Sequence, residues 1–308
     1  MLDFFEQLSK EFTLPLTNPV LVFSLVLLII LFTPIVLKKL NVPSIVGLII
    51  SGVIIGPFGI HLLDKNAGIE LFSTIGLLYI MFIAGLDLDL AQFKSYRYKS
   101  LIFGFFTFIF PFSIGFPVCH YLFDFDLNTS ILISSMFSTH TLVSYPIVSK
   151  LRITKDQAVA ITIGGTILTD TTVLIILAIV LNNHNGFLNE TFWLRMSVSI
   201  AIFLGIMFFI IPRIARWFFQ KLESEKHSHY IFVLSVIFFS AFLSQVSGLE
   251  PIIGAFIAGL ALNKLIPASS ALMNRIEFMG NSLFIPFFLI SVGMIVDVRV
   301  VVHGPYAI

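Results

Sequence analysis

The sequence predicts an all-α membrane protein with ten full transmembrane helices, on three observations. Apolar residues make up 57% of the 308 residues, charged residues only 11%, and the mean hydropathy is +1.02. A soluble domain carries about 25% charged residues to wet its surface, and a chain of this size cannot hide so much Phe, Ile and Leu from water. The apolar residues also gather in long runs. A hydrocarbon core of ~30 Å takes ~20 residues of helix, whereas transmembrane strands are shorter and alternate in polarity. Finally, the basic residues fall in the gaps between runs, on alternate sides.

In chain order the spans are predicted at 18–37, 43–60, 70–88, 100–122, 128–149, 156–181, 192–212, 230–247, 251–266 and 278–296. Residues 1–17 include acidic groups and lack the basic n-region of a signal peptide. They form an extracytoplasmic segment, and the first apolar run is kept as a span. The second and ninth spans are short and glycine-rich. The fifth carries Ser134, Ser135, Ser138, Thr139, His140, Thr141, Ser144 and Pro146. That polarity suits an unwound segment whose free carbonyls could coordinate a cation, and Pro146 removes a backbone donor. With the N-terminus outside, fourteen Lys and Arg lie on the cytoplasmic side and four outside, as the positive-inside rule asks. The net charge of +1 is spread over these short loops and gives no footing for nucleic acid. Cys119 is the single cysteine, so no disulfide framework or CxxC site is expected.

An internal repeat sets the organisation. Ile45-Val46-Gly47-Leu48-Ile49-Ile50-Ser51-Gly52 matches Ile252-Ile253-Gly254-Ala255-Phe256-Ile257-Ala258-Gly259 at an offset of 207. Gly85-Leu86-Asp87-Leu88-Asp89 matches Gly293-Met294-Ile295-Val296-Asp297 at an offset of 208. The second and ninth spans run in opposite directions, so the repeat is inverted, the architecture of secondary transporters with a mid-membrane site. Residues 18–181 then form a first six-helix repeat, 182–229 a linker helix and cytoplasmic loop, and 230–308 the first part of a second repeat. The offset puts the remainder past Ile308, with a broken helix at roughly 336–356 and the counterpart of the sixth span at roughly 364–388. Residues Gly304 to Ile308 read as the start of an eleventh span.

Among the carboxylates, most lie in loops or at helix ends. Asp170 sits more than a dozen residues from either end of the sixth span. An aspartate at a helix centre costs about 2.5–3.5 kcal/mol to insert and normally lines a pathway. The alternative is a protonated Asp hydrogen-bonded to a neighbouring helix. Thr166 is one turn earlier on the same face, and its hydroxyl offers the neutral oxygen that a hard cation wants. Thr169, Thr171 and Thr172 read as hydroxyls bonded back to the helix. Gly164-Gly165 would admit another backbone. His140 could accept a proton, and its plainer role is a neutral, hydrogen-bonded histidine. Glu250, ahead of Pro251, suits a helix dipole, and Arg275 and Glu277 suit an interfacial pair. No Walker loop, HExxH or nucleotide-binding glycine fingerprint occurs. Neither an enzyme activity nor a cofactor is expected.

Five segments in order, GLIISGVIIGPFGI, LFSTIGLLYIMFIAGLDLDL, AITIGGTILTDTTVLIILA, GLEPIIGAFIAGLALN and FIPFFLISVGMIVD, resemble successive helices of the monovalent cation:proton antiporter-2 family. The resemblance covers nearly the whole chain. It implies an inverted-repeat sodium/proton antiporter fold of about thirteen helices, here truncated before the last three, with crossed broken helices at the ion site. It also implies a homodimer in the bacterial inner membrane. On that resemblance Asp170 matches the essential aspartate, Thr169 the residue before it and Thr166 a hydroxyl ligand of the cation, while Thr139 lies in the unwound part of the first crossed helix. Electrogenic members carry Asp-Asp where this chain has Thr169-Asp170, and a lysine in the tenth span where this chain has none between Phe278 and Val296. Both departures imply electroneutral exchange of Na+, or of K+ or Li+, for H+ by competition at Asp170. Other readings are potassium/proton efflux on the same fold, symport of an organic anion, and an ion-sensing membrane protein.

Overall fold

The computed structural model describes residues 12–39, 43–87, 90–139, 148, 153, 156–184, 190–222, 226–267 and 269–299. Every regular element among them is helical. Helix α1 (Pro19–Lys38) starts at Asn18, whose side chain accepts the N–H groups of Val20 and Leu21 at 3.0 and 3.3 Å, with Pro19 in the first turn. It is followed by α2 (Ser44–Ile55), α3 (Ala67–Asp87) and α4 (Leu90–Pro117), which widens into a π-type turn at Val118–Leu122. Helix α5 (Leu127–Phe137) is capped by Asp126, which accepts from the backbone of Asn128 and Thr129 at 3.1 and 3.2 Å. Then come α6 (Gln157–His184), α7 (Glu190–Gly205), α8 (Ile211–Lys221), α9 (Lys226–Val246), α10 (Pro251–Leu262), α11 (Ala271–Met279) and α12 (Ile285–Ile295). Wide turns at Ile206–Ile210 and Gly280–Phe284 join α7 to α8 and α11 to α12. Each stands just ahead of a proline, Pro212 or Pro286, whose missing N–H removes the bond that would keep the preceding turn in α register.

The ten predicted spans each correspond to a helical segment, but not all ten are full spans. Among the described residues, seven segments are long and apolar enough to cross a membrane: Pro19–Lys38, Ala67–Asp87, Ser95–Leu122, Gln157–Leu177, Ser197–Lys221, His227–Val246 and Ala271–Ile295. The other three, α2, α5 and α10, have 12, 11 and 12 residues, ~18 Å at 1.5 Å per residue against a core of ~30 Å. Hydropathy overruns these helices because apolar residues continue past the point where the backbone turns. At the end of α2, Gly56-Pro57 reverses the chain, and the N–H groups of Leu62 and Leu63 return to the carbonyl of Ile55 at 3.0 and 2.9 Å. The rest of the predicted fifth span, including His140, Thr141, Ser144 and Pro146, lies outside the described residues, as do 301–308 and the predicted start of an eleventh span.

The helices gather into two compact units, residues 1–79 with 276–308, and residues 80–275. In the first, α12 is almost wholly buried from Ile285 to Ser291 and lies along α2. Phe23, Phe72 and Phe287 form one aromatic cluster, with centroids 4.9 to 5.4 Å apart. In the second, α4 packs on α6 and α5, and α9 packs on α10. Outward side chains such as Ile114, Phe110 and Leu122 are apolar and exposed. A soluble protein rarely carries so continuous an apolar exterior. Lipid tails are as apolar as Leu, so close packing rather than transfer from water holds such helices together.

Among the described residues, each unit contains a very close helix crossing between glycines that are matched in the sequence. In the first, a β-carbon at Gly52 would lie 3.0 Å from the Cα of Gly293, and one at Gly293 would lie 2.9 Å from the Cα of Gly52. In the second, a β-carbon at Gly85 would lie 2.9 Å from the Cα of Gly259, and the reverse distance is 2.8 Å. Only glycine lets backbones meet at that range. The four residues are the sequence-matched glycines, 52 with 259 and 85 with 293, and each touches a member of the other matched pair.

Candidate functional site

The polar centre of the second unit forms where α5 stops beside α6. Helix α5 places Ser130, Ser134 and Ser135 on a buried face, each 0% exposed. Their hydroxyls would be costly if unpaired in this environment. They turn back on the backbone instead: Ser134 donates to the carbonyl of Ser130 at 2.6 Å, Ser135 to Leu132 at 2.7 Å, and Ser138 to Ser134 at 3.1 Å. These bonds offer carbonyls an alternative to the helical ladder, and the helix ends at Phe137. Two residues later, outside the helix, the hydroxyl of Thr139 donates to Oδ1 of Asp170. A chain terminus of α5 and the middle of α6 thus share one hydrogen bond across 31 residues of sequence.

Around Asp170 the α6 hydroxyls differ sharply in state. Thr166 is 1% exposed and its Oγ1 has no hydrogen-bond partner among the described residues. It stands one turn before Asp170 on the same face. A buried hydroxyl without a partner costs on the order of 1–3 kcal/mol. Thr169 is equally buried, but its hydroxyl donates to the carbonyl of Thr166 at 2.9 Å. Thr172 bonds back to Leu168 at 2.8 Å, as expected for a membrane helix. Gly165 accepts the close approach predicted for the Gly164-Gly165 pair: a β-carbon at Gly104 of α4 would lie 3.1 Å from its Cα. The structure therefore brings Asp170, Thr166, Thr169 and Thr139 into one locality, while His140 lies outside the described residues.

One group set aside by the sequence feels the charge of Asp170. Glu250 precedes α10 but does not cap it, because its side chain makes no hydrogen bond to the first turn. The turn before it is fixed by other atoms. Gly248 adopts φ +85°, Leu249 N–H returns to Ser244 at 3.0 Å, and the Ser244 hydroxyl donates to the Glu250 carbonyl at 2.7 Å. This leaves the half-buried carboxyl, between two membrane helices rather than within one, above the ordinary carboxylate pKa. Burial is the main cause and the charge of Asp170 the second. The sequence signal was present, a Glu inside the otherwise apolar GLEPIIGAF, but its proximity to Asp170 depends on a turn that spacing does not reveal.

Comparison with known proteins gives a consistent relationship. The family model for the sodium/hydrogen exchanger transmembrane region matches residues 26–308. The Na(+)/H(+) antiporter NhaS5 of Synechocystis sp. is 36% identical over 282 residues, 91% of this chain and 40% of its own length. The probable Na(+)/H(+) antiporter 3 of Methanocaldococcus jannaschii is 31% identical over 287 residues, 91% of this chain and 72% of its own. K(+)/H(+) antiporter 1 of Saccharomyces cerevisiae is 28% identical over 320 residues, with 36% of its length covered. The chain thus spans well under half of two of these relatives and nearly three quarters of the third.

Proposed function

The chain belongs to the sodium/hydrogen exchanger family, and from that membership we propose that it is a secondary transporter exchanging a monovalent cation, foremost Na+, for H+ at Asp170. The observation that carries this reading is the meeting of Asp170 with the Thr139 hydroxyl where α5 ends, one turn from the unpartnered hydroxyl of Thr166. A carboxylate in a low-dielectric interior needs a positive partner. A proton supplies it through one covalent O–H bond. A sodium ion supplies it through oxygen contacts, for which Asp170, Thr166 and the chain after Phe137 are the donors at hand. The two occupants exclude each other. If the protein alternates access only with Asp170 neutralised, competition at one carboxylate yields antiport with no chemistry on the protein beyond that reversible protonation.

On the same reading the two glycine crossings are equivalent points of an inverted repeat, with the site between its halves. The chain then sits in a bacterial inner membrane with its N-terminus outside and works as a homodimer. Exchange is electroneutral, because Thr169 cannot ionise in place of a second aspartate. Potassium is the second candidate cation, favoured by the yeast relative named as a K(+)/H(+) antiporter.

The test is exchange by the complete gene product in liposomes, with Na+, K+ and Li+ offered in turn and the voltage clamped. Proton release should follow Na+ addition and change less than about twofold over 100 mV. One net charge crossing that potential corresponds to ~2.3 kcal/mol, so electrogenic transport would be obvious. A steep voltage dependence would overturn the one-for-one stoichiometry and leave Glu250 or His140 as the second proton carrier. In the same assay Thr166→Ala should raise the apparent KM for Na+ about five- to tenfold, the scale of one lost ligand hydrogen-bonding group, with maximal rate nearly kept. An unchanged KM would make Thr166 a packing residue.

A further inference from the structure

A groove of about 660 Å³ runs along the outer side of α4 in the second unit, lined by Lys99, Ile102, Phe103, Phe106, Pro111 and Phe137 among others. Its walls follow from local chemistry. Pro111, inside α4, lacks the N–H that would bond the carbonyl of Thr107. Thr107 turns its own hydroxyl inward to the carbonyls of Phe103 and Gly104, at 2.8 and 3.2 Å, leaving no unpaired hydroxyl to wet the groove. Phe137, the last residue of α5, closes one end: its ring carbon would be 3.0 Å from a β-carbon at Gly115. Ile102, Phe106, Phe110 and Phe137 are 47 to 62% exposed, so the groove is open along its length.

Its two ends differ. Lys99 stands at one end with its ammonium over the Tyr96 ring at 5.3 Å, next to exposed Arg97 over Tyr98 at 4.9 Å. Paired cations and tyrosines at a helix end mark the headgroup level of a bilayer. From Lys99 to Pro111 is ~18 Å of helix at 1.5 Å per residue, close to the ~15 Å depth of one leaflet, half of the ~30 Å core. A dry slot one leaflet long with a cation at its mouth has the shape of a lipid, head and tail.

We propose that this groove is a binding site for an anionic phospholipid, its acyl chain along Ile102–Pro111 against Phe137 and its phosphate at Lys99. A second copy of the chain fits less well. Two copies share one orientation in a membrane, so Lys99 and Arg97 of each would meet at the same depth and repel. The site also bears on transport, because Phe137 is two residues from Thr139, the hydroxyl bonded to Asp170. The inference rests on the membrane reading alone and not on exchange at Asp170.

The test is photo-labelling of the complete gene product in nanodiscs with phosphatidylglycerol carrying a diazirine in its acyl chain, followed by peptide mapping. Adducts should concentrate on the 99–111 and Phe137 peptides. Unlabelled phosphatidylglycerol should compete ~fivefold better than phosphatidylcholine, the scale of one basic residue at an anionic surface. Lys99→Gln should bring that preference below about twofold, and Ile102→Trp, which fills the slot, should cut the adducts themselves. If Ile102→Trp does not fold, Lys99→Gln decides alone. Labelling spread evenly over the neighbouring outward residues Leu101 and Phe105, or equal competition by both lipids, would each overturn the proposal.

Discussion

Replacing Asp170 by Asn is expected to abolish cation:proton exchange while leaving the protein inserted and folded. The amide has nearly the shape of the carboxyl, and its oxygen can still accept the hydroxyl of Thr139 that Oδ1 accepts now. What it cannot do is bind and release a proton, or neutralise a bound cation. Removing one partner of a buried ion pair costs on the order of 3–5 kcal/mol, which is a factor of roughly 10² to several times 10³ in apparent affinity. Transport should therefore fall at least ~100-fold, with thermal stability within a few degrees of the parent. Asp170→Glu keeps the charge but moves it by one methylene, and should retain a measurable rate. Exchange by the Asn variant above about one tenth of the parent rate in the same liposomes would remove Asp170 from the centre of the mechanism.

Asp170 stands out in the sequence because lipid is an unforgiving solvent: a lone carboxylate deep in an apolar run has few structural reasons to exist. The apolar segments were legible for the same reason, and each of the ten has a helix. Their lengths were not. Hydropathy averages over residues that remain apolar after the backbone has turned, as at Gly56-Pro57, and it cannot separate a 12-residue helix from a full span. Side-chain states were also out of reach. Thr166 and Thr169 are the same residue type three positions apart, yet one hydroxyl is bonded to the helix and the other has no partner among the described residues. Glu250 could be seen at a helix start, but only the turn held by Gly248 and Ser244 shows that its carboxyl is left uncapped and within reach of the Asp170 charge. The matching of Gly52 with Gly259 and of Gly85 with Gly293 could be read from the sequence. That each pair contacts the other, 52 with 293 and 85 with 259, could not.

Those crossings make the second large prediction, in which one substitution has opposite effects at two sites. A methyl group added at Gly85 meets the Cα of Gly259 and the backbone nitrogen of Leu260, both at 2.9 Å. Backbone atoms of a neighbouring helix cannot swing aside as the tip of a side chain can, so α3 and α10 must separate. Overpacking of that kind costs typically 1–3 kcal/mol, and a fixed backbone neighbour puts Gly85→Ala near the upper end. At roughly 2–4 °C per kcal/mol for a domain of this size, the apparent Tm should fall by about 5–10 °C. Gly52→Ala and Gly259→Ala meet backbone at 3.0 and 2.8 Å and should fall by similar amounts. Gly205 is helical too, but nothing lies within 4 Å of the place a β-carbon would take. There alanine only removes the glycine penalty of about 0.5–1 kcal/mol, so Gly205→Ala should raise the apparent Tm by ~1–4 °C. Heating the detergent-purified variants and following the folded fraction by fluorescence-detected size exclusion resolves shifts of this size. If Gly85→Ala proved as benign as Gly205→Ala, the helices would not cross at those glycines, and the symmetry of the two contacts would lose its physical basis.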